Sequence, residues 1–113
     1  MLLSACQTTQ QNSRIIASAF NLTTGLQQKI MDRYAPKNIQ VQHDIVYATQ
    51  PNLSFDLYQD TQLQDLAARP TIVWIHGGGW IAGSKAHARG YFKLLAAQGF
   101  NVIAVQYQFA PHA

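Results

Sequence analysis

The stretch from Pro70 to Ala113, "PTIVWIHGGGWIAGSKAHARGYFKLLAAQGFNVIAVQYQFAPHA", decides the fold. "TIVWI" (Thr71–Ile75) is apolar on both faces, the pattern of a central strand in a parallel sheet with helices on each side. Three glycines, Gly77, Gly78 and Gly79, interrupt the chain after His76. Ser84 is placed to N-cap a helix that runs to about Gln98. Ala88, Tyr91, Phe92 and Leu95 give that helix a buried stripe, and Gly99 suits the residue just past its end. "NVIAVQY" then reads as a second apolar strand. Strand, helix and strand make a βαβ unit with a right-handed crossover, so the fold class is α/β.

Upstream, "NIQVQHDIVYA" alternates apolar and polar residues. The phase inverts near His43–Asp44, which is the mark of a bulge. "PNLSFDLYQ" alternates as well, with Leu53, Phe55 and Leu57 on one face and Ser54, Asp56 and Tyr58 on the other. The turn-forming "TQPN" between the two runs predicts an antiparallel pair. Further back, Leu26, Ile30 and Tyr34 recur every four residues, as in a short amphipathic helix. Gly25 is expected to break or bend that helix, and Pro36 to stop it.

Composition narrows the function. The 113 residues make one small domain at most. The net charge of +3 comes from scattered basic residues, not from a clustered face of the kind that reads nucleic acid. The single cysteine, Cys6, excludes an internal disulfide. His43, His87 and His112 show no metal-ligand spacing. No stretch approaches the roughly 18 apolar residues of a membrane span.

Glycines at the carboxyl end of a parallel strand lie where α/β sheets bind ligands. Two chemistries use such a loop. "GGWIAGSK" (Gly78–Lys85) has the glycine spacing of a phosphate-binding loop. Its last two residues are reversed, however, so that lysine and hydroxyl point in different directions. Oxyanion stabilisation needs only backbone amides aimed at the oxygen that becomes negative when an ester carbonyl is attacked.

On these residues the chain resembles α/β-hydrolase esterases and lipases of the hormone-sensitive-lipase-like type. "PTIVWIHGGGWIAGSK" is similar to their oxyanion-loop segment, "LSFDLYQ" to the strand before it, and "VIAVQYQFAPHA" to the following strand with its "YRLAP" signature. Gln108, Phe109 and His112 depart from that signature. The resemblance covers Ile39 to Ala113 and implies the N-terminal part of the family's sheet, incomplete. It implies that Gly78 and Gly79 donate the oxyanion amides and that Gly77 makes the turn. His76 would support the loop by side-chain hydrogen bonds, Tyr107 would pack beside it, and Trp80 would line the substrate pocket. A small-molecule ester is the expected substrate, with no cofactor and no nucleic-acid partner. A G-x-S-x-G nucleophile motif does not occur in the sequence. Ser84 has one flanking glycine of the two, and Ser4, Ser13, Ser18 and Ser54 lie in other contexts. Catalytic residues are therefore expected outside this segment. The reading from a different class is a non-catalytic lipoprotein that keeps the front half of the fold as a binding or structural module.

"LLSAC" (Leu2–Cys6) resembles the lipobox of bacterial lipoproteins, and "QTTQQNS" after it the flexible tether of such proteins. That resemblance implies lipidation at Cys6, export, and membrane attachment only through the anchor. Residues 1–12 then form a signal remnant and tether, and 13–113 the N-terminal part of the hydrolase domain. Too few residues precede Cys6 for a complete signal peptide, so the expected start lies upstream of Met1.

Overall fold

A computed structural model describes residues 2–49, 53–65 and 68–110, with the side chains of the first helix described from Gln11 onward. His112, the last departure from the signature, lies outside the described residues. The order of elements is helix α1 (Leu2–Tyr34), strands β1 (Gln40–Val46), β2 (Ser54–Gln59) and β3 (Thr71–Ile75), helix α2 (Arg89–Ala97) and strand β4 (Asn101–Val105).

The four strands form one sheet in the order β1-β2-β4-β3. β1 and β2 pair antiparallel, and their register shifts between Gln42 and Ile45. Asp44 sits there at φ 56°, a left-handed conformation that aspartate tolerates better than most residues. The bulge read from the change of phase is therefore real. β3 and β4 run parallel, joined through α2, and β4 pairs antiparallel with β2.

Residues paired across strands share a face of the sheet. Tyr58, Val102 and Ile72 are aligned on one face, with Asp56, Ala104 and Trp74 beside them. α2 packs on that face, and α1 packs against α2. Ile39, Tyr58, Phe92, Ala96, Val102 and Ala104 form its core. Phe92 meets the rings of Tyr58 and Trp74 edge-on at centroid distances of 5.3 and 5.5 Å, a geometry that aromatic quadrupoles favour.

β3 lies at the edge of the sheet, paired among the described residues only with β4. Several expectations change here. Among the described residues a helix, α2, covers one face of β3, not two. Val73 and Ile75 are consequently exposed. The more buried face of β2 is the polar one, Ser54, Asp56 and Tyr58, because that side meets α2. α1 passes through Gly25 without a break and includes the stretch expected as a tether. A glycine costs a helix only about 1 kcal/mol, which packing at neighbouring residues offsets. The helix ends two residues before Pro36, since proline disfavours helical backbone in the residue it follows. α2 starts at Arg89, not at Ser84; Ser84 instead caps a preceding turn, its Oγ accepting from the Ala86 amide at 3.1 Å. Tyr91 lies outside the buried stripe and half exposed, while Ala96 and Gly90 are inside it. Gly99, at φ +99°, follows the helix end as expected.

The two helices meet closely at Gly90, where a Cβ would come within 2.9 Å of Met31 Cβ and 2.8 Å of its carbonyl carbon. An ion pair between Arg89 and Asp32 fixes the same contact.

Candidate functional site

The loop from His76 to Gly83 leaves the carboxyl end of β3 and turns back on itself. Its left-handed residues are Gly78 (φ +139°), Gly79 (φ +62°), Trp80 (φ +64°) and Gly83 (φ +105°). Gly77 has an ordinary φ and open space around it, so the sharp turn falls one residue after it. Ala82 N–H donates to Gly78 O at 3.0 Å and closes the turn. Two of the glycines are required by close approach. A Cβ on Gly78 would lie 2.0 Å from Ala82 O, and one on Gly83 would lie 2.3 Å from both Gly77 O and His76 Nδ1. Trp80 holds a left-handed backbone without being glycine, at a cost of about 1–2 kcal/mol. Its carbonyl accepts from the Ala110 amide at 2.9 Å, which fixes it there.

His76 is buried at the base of the loop. Its Nδ1 lies 2.9 Å from Gly77 O. A carbonyl can only accept, so Nδ1 carries a proton. Nε2 is buried and has no partner among the described residues. Tyr107 stacks on the imidazole with ring centroids 4.4 Å apart and planes at 18°. The Tyr107 hydroxyl donates to His76 O at 2.9 Å. Phe109 meets the imidazole edge-on, and Trp80 packs its ring 5.6 Å from Tyr107. His76, Trp80 and Tyr107, singled out in the sequence, thus come together at one end of the sheet. Trp80 remains 70% exposed. Among the described residues no hydrogen bond occupies the amides of Gly78, Gly79 or Trp80. A braced loop with free N–H groups can receive an anionic oxygen.

Two supports were not visible in the sequence. The first is Lys85, five residues beyond Trp80. Its Nζ donates to Asp56 Oδ1 at 2.6 Å, Asp44 Oδ1 at 2.5 Å and Ser54 Oγ at 3.2 Å. Burial alone would raise the Asp56 carboxyl, but hydrogen bonds from Lys85, the Asp44 amide and His43 outweigh it and hold its pKa below the ordinary value. Burial alone would likewise lower the Lys85 ammonium, and its two carboxylate partners raise it instead. The Lys85 amide also donates to Gln106 Oε1 at 3.2 Å. The loop's distal end is thereby tied to the β1 bulge, to β2 and to the chain after β4.

The second support is α1. Asn21 Oδ1 accepts from the Gly83 amide at 3.3 Å. Thr24 Oγ1 lies 3.4 Å from His87 Nε2, and Phe20 packs against the same imidazole. Burial, and next the neighbouring His76, lower the pKa of His87. The described residues hold no cluster of three or more His, Cys, Asp or Glu that could bind a metal.

This sheet is that of the α/β-hydrolase fold. Esterase B from Lactobacillus rhamnosis superposes on 90% of the chain with a TM-score of 0.68 and 24% identity, and a bacterial heroin esterase on 86% with a TM-score of 0.65 and 18% identity. Residues 55–113 match the BD-FAE family, and the chain belongs to that family of α/β-hydrolase esterases. Pyrethroid hydrolase Ces2a from Mus musculus is 31% identical over 74% of the chain, and esterase LipC from Mycobacterium tuberculosis 33% identical over 60%. The chain spans 15% and 17% of the lengths of those two relatives, and 34% and 30% of the two solved structures.

Proposed function

We propose that this chain is the oxyanion-hole segment of a carboxylic ester hydrolase whose nucleophile, base and orienting acid come from sequence outside it. The amides of Gly78 and Gly79 receive the oxygen that becomes negative as a serine attacks the ester carbonyl. Gly77 leads into their turn. His76 and Tyr107 brace the loop from below, and Trp80 lines the pocket for the substrate's organic groups. The observation that carries this reading is a loop pinned at both ends whose Gly78 and Gly79 amides have no hydrogen-bond partner among the described residues. Donors held in place in this way need no reorganisation during reaction, and each is worth roughly 3–4 kcal/mol of barrier. Family membership and the relatives named as esterases supply the substrate class, a small-molecule ester.

The lipobox-like "LLSAC" further supports an exported protein anchored to the bacterial envelope through Cys6. The test for both readings is the genomic sequence around this reading frame. A G-x-S-x-G followed by Asp or Glu and then His codons, with a charged apolar leader before Met1, is the expected result. A stop after Ala113 with no hydrolase sequence downstream would overturn the catalytic reading and leave a non-catalytic module.

A further inference from the structure

We infer that the outer face of α1 is a surface for an anionic phospholipid bilayer. This goes beyond the ester-hydrolase reading and does not depend on it. The inner side of α1 carries the contacts already described: Asn21 to Gly83, Thr24 to His87, Met31 against Gly90 and Asp32 to Arg89. The opposite side is the apolar one. Ile15, Leu22, Leu26 and Ile30 are spaced by seven, four and four, which aligns them in one stripe. They are 68%, 77%, 64% and 57% exposed. An ordinary surface helix buries its apolar stripe and shows water its polar face; α1 does the reverse over these residues.

The charges on the helix choose the partner. Lys29 and Arg33 are exposed, three and seven residues after Leu26, and so border the stripe. Asp32 is the only acidic residue in α1, and it is turned inward to Arg89. The outer face is therefore apolar and cationic, with no carboxylate among its described residues. That combination fits a helix lying in the headgroup region of a bilayer with negatively charged lipids. Among the described residues no helix is long and apolar enough to cross a membrane, so the helix lies on the surface and does not span it. The proposed lipid attachment at Cys6 would enter the bilayer from the same helix, and the surface described here would set how the rest of the molecule sits on it.

The test uses the polypeptide encoded by the whole reading frame with Cys6→Ser, so that no acyl chain contributes and any cover the rest of the protein gives the stripe is in place. It is floated with vesicles of phosphatidylcholine and phosphatidylglycerol in equal parts, and with phosphatidylcholine alone. The expected result is binding to the anionic vesicles, weakened at least tenfold by Leu22→Ser/Leu26→Ser. Lys29→Gln/Arg33→Gln should also weaken it, roughly tenfold or more. Val73→Thr/Ile75→Thr, on the open face of the sheet, should leave it unchanged. The charge variant keeps the test decisive if the serine variant misfolds, which circular dichroism reports. Equal binding to both vesicle types, binding unmoved by the charge variant, or loss only with the sheet variant would each overturn the proposal. So would a dimer in lipid-free solution that Leu22→Ser/Leu26→Ser dissolves, because the stripe would then be covered by a second copy.

Discussion

Gly78 and Gly83 bear most of the glycine loop's conformation, and Gly77 bears little. Alanine at Gly83 would push a methyl into His76 Nδ1 and Gly77 O, and alanine at Gly78 into Ala82 O. Each substitution should lower unfolding free energy by about 1–3 kcal/mol, while Gly77→Ala should change it by less than about 0.5 kcal/mol. Urea unfolding followed by tryptophan fluorescence would measure the difference. Tyr107→Phe keeps the ring stack on His76 and removes one hydrogen bond, so a loss of about 1 kcal/mol is expected. The residues of the loop were legible in the sequence because glycines after a strand carry a local signal. The positions of their strain were not, because φ at Gly78 or Trp80 depends on where Ala82 and Ala110 return to meet the loop.

Between elements, buried charge ties the loop to the sheet. Lys85→Met would strand the Asp56 carboxylate, whose side chain is 3% exposed. Breaking such a pair costs about 3–5 kcal/mol; adding Asp56→Asn should recover part of it, a comparison that thermal melts of the three variants would settle. A second link is sensitive to pH. Since the folded-state pKa of His87 is lowered, the folded chain binds fewer protons than the unfolded one as pH falls below 6.5. The stability from this contact is present above that pH and lost below it. Asp56, lowered from 3.8, contributes above that value and is lost only in stronger acid. The melting temperature should therefore fall between pH 7.5 and 5.5, and His87→Gln should flatten that fall. Periodicity revealed the antiparallel pair, the bulge and the βαβ unit, since each is written in neighbouring residues. Lys85 to Asp56 and Asn21 to Gly83 join residues 29 and 62 apart in sequence, and no local pattern announces them. The continuous α1 was hidden by a polar composition with a glycine in it, and its packing against α2 and the loop outweighs both.

Across the whole molecule, the sheet has one covered face and one open face. Phe55, Leu57, Ile103, Val105, Val73 and Ile75 align on the open side by strand register, and no helix among the described residues lies over them. The edge strand β3 adds unpaired backbone groups beside them, a combination that favours association. The isolated chain should therefore bind an apolar dye and scatter light at micromolar concentration. Val73→Thr/Ile75→Thr should reduce both signals.

The central claim is that the Gly78–Gly79 amides stabilise an ester's oxyanion. It is tested most directly in the polypeptide encoded by the whole reading frame, with p-nitrophenyl butyrate as substrate. Gly79 holds φ +62°, where alanine is strained although its methyl would meet nothing, so Gly79→Ala keeps the N–H but shifts where it aims. The account predicts that kcat falls tenfold or more, towards the roughly 10²–10³-fold of a lost donor. KM should stay within about threefold, because the interaction belongs to the transition state. An unchanged kcat in a folded variant, or equal turnover by the 113-residue chain alone, would contradict it.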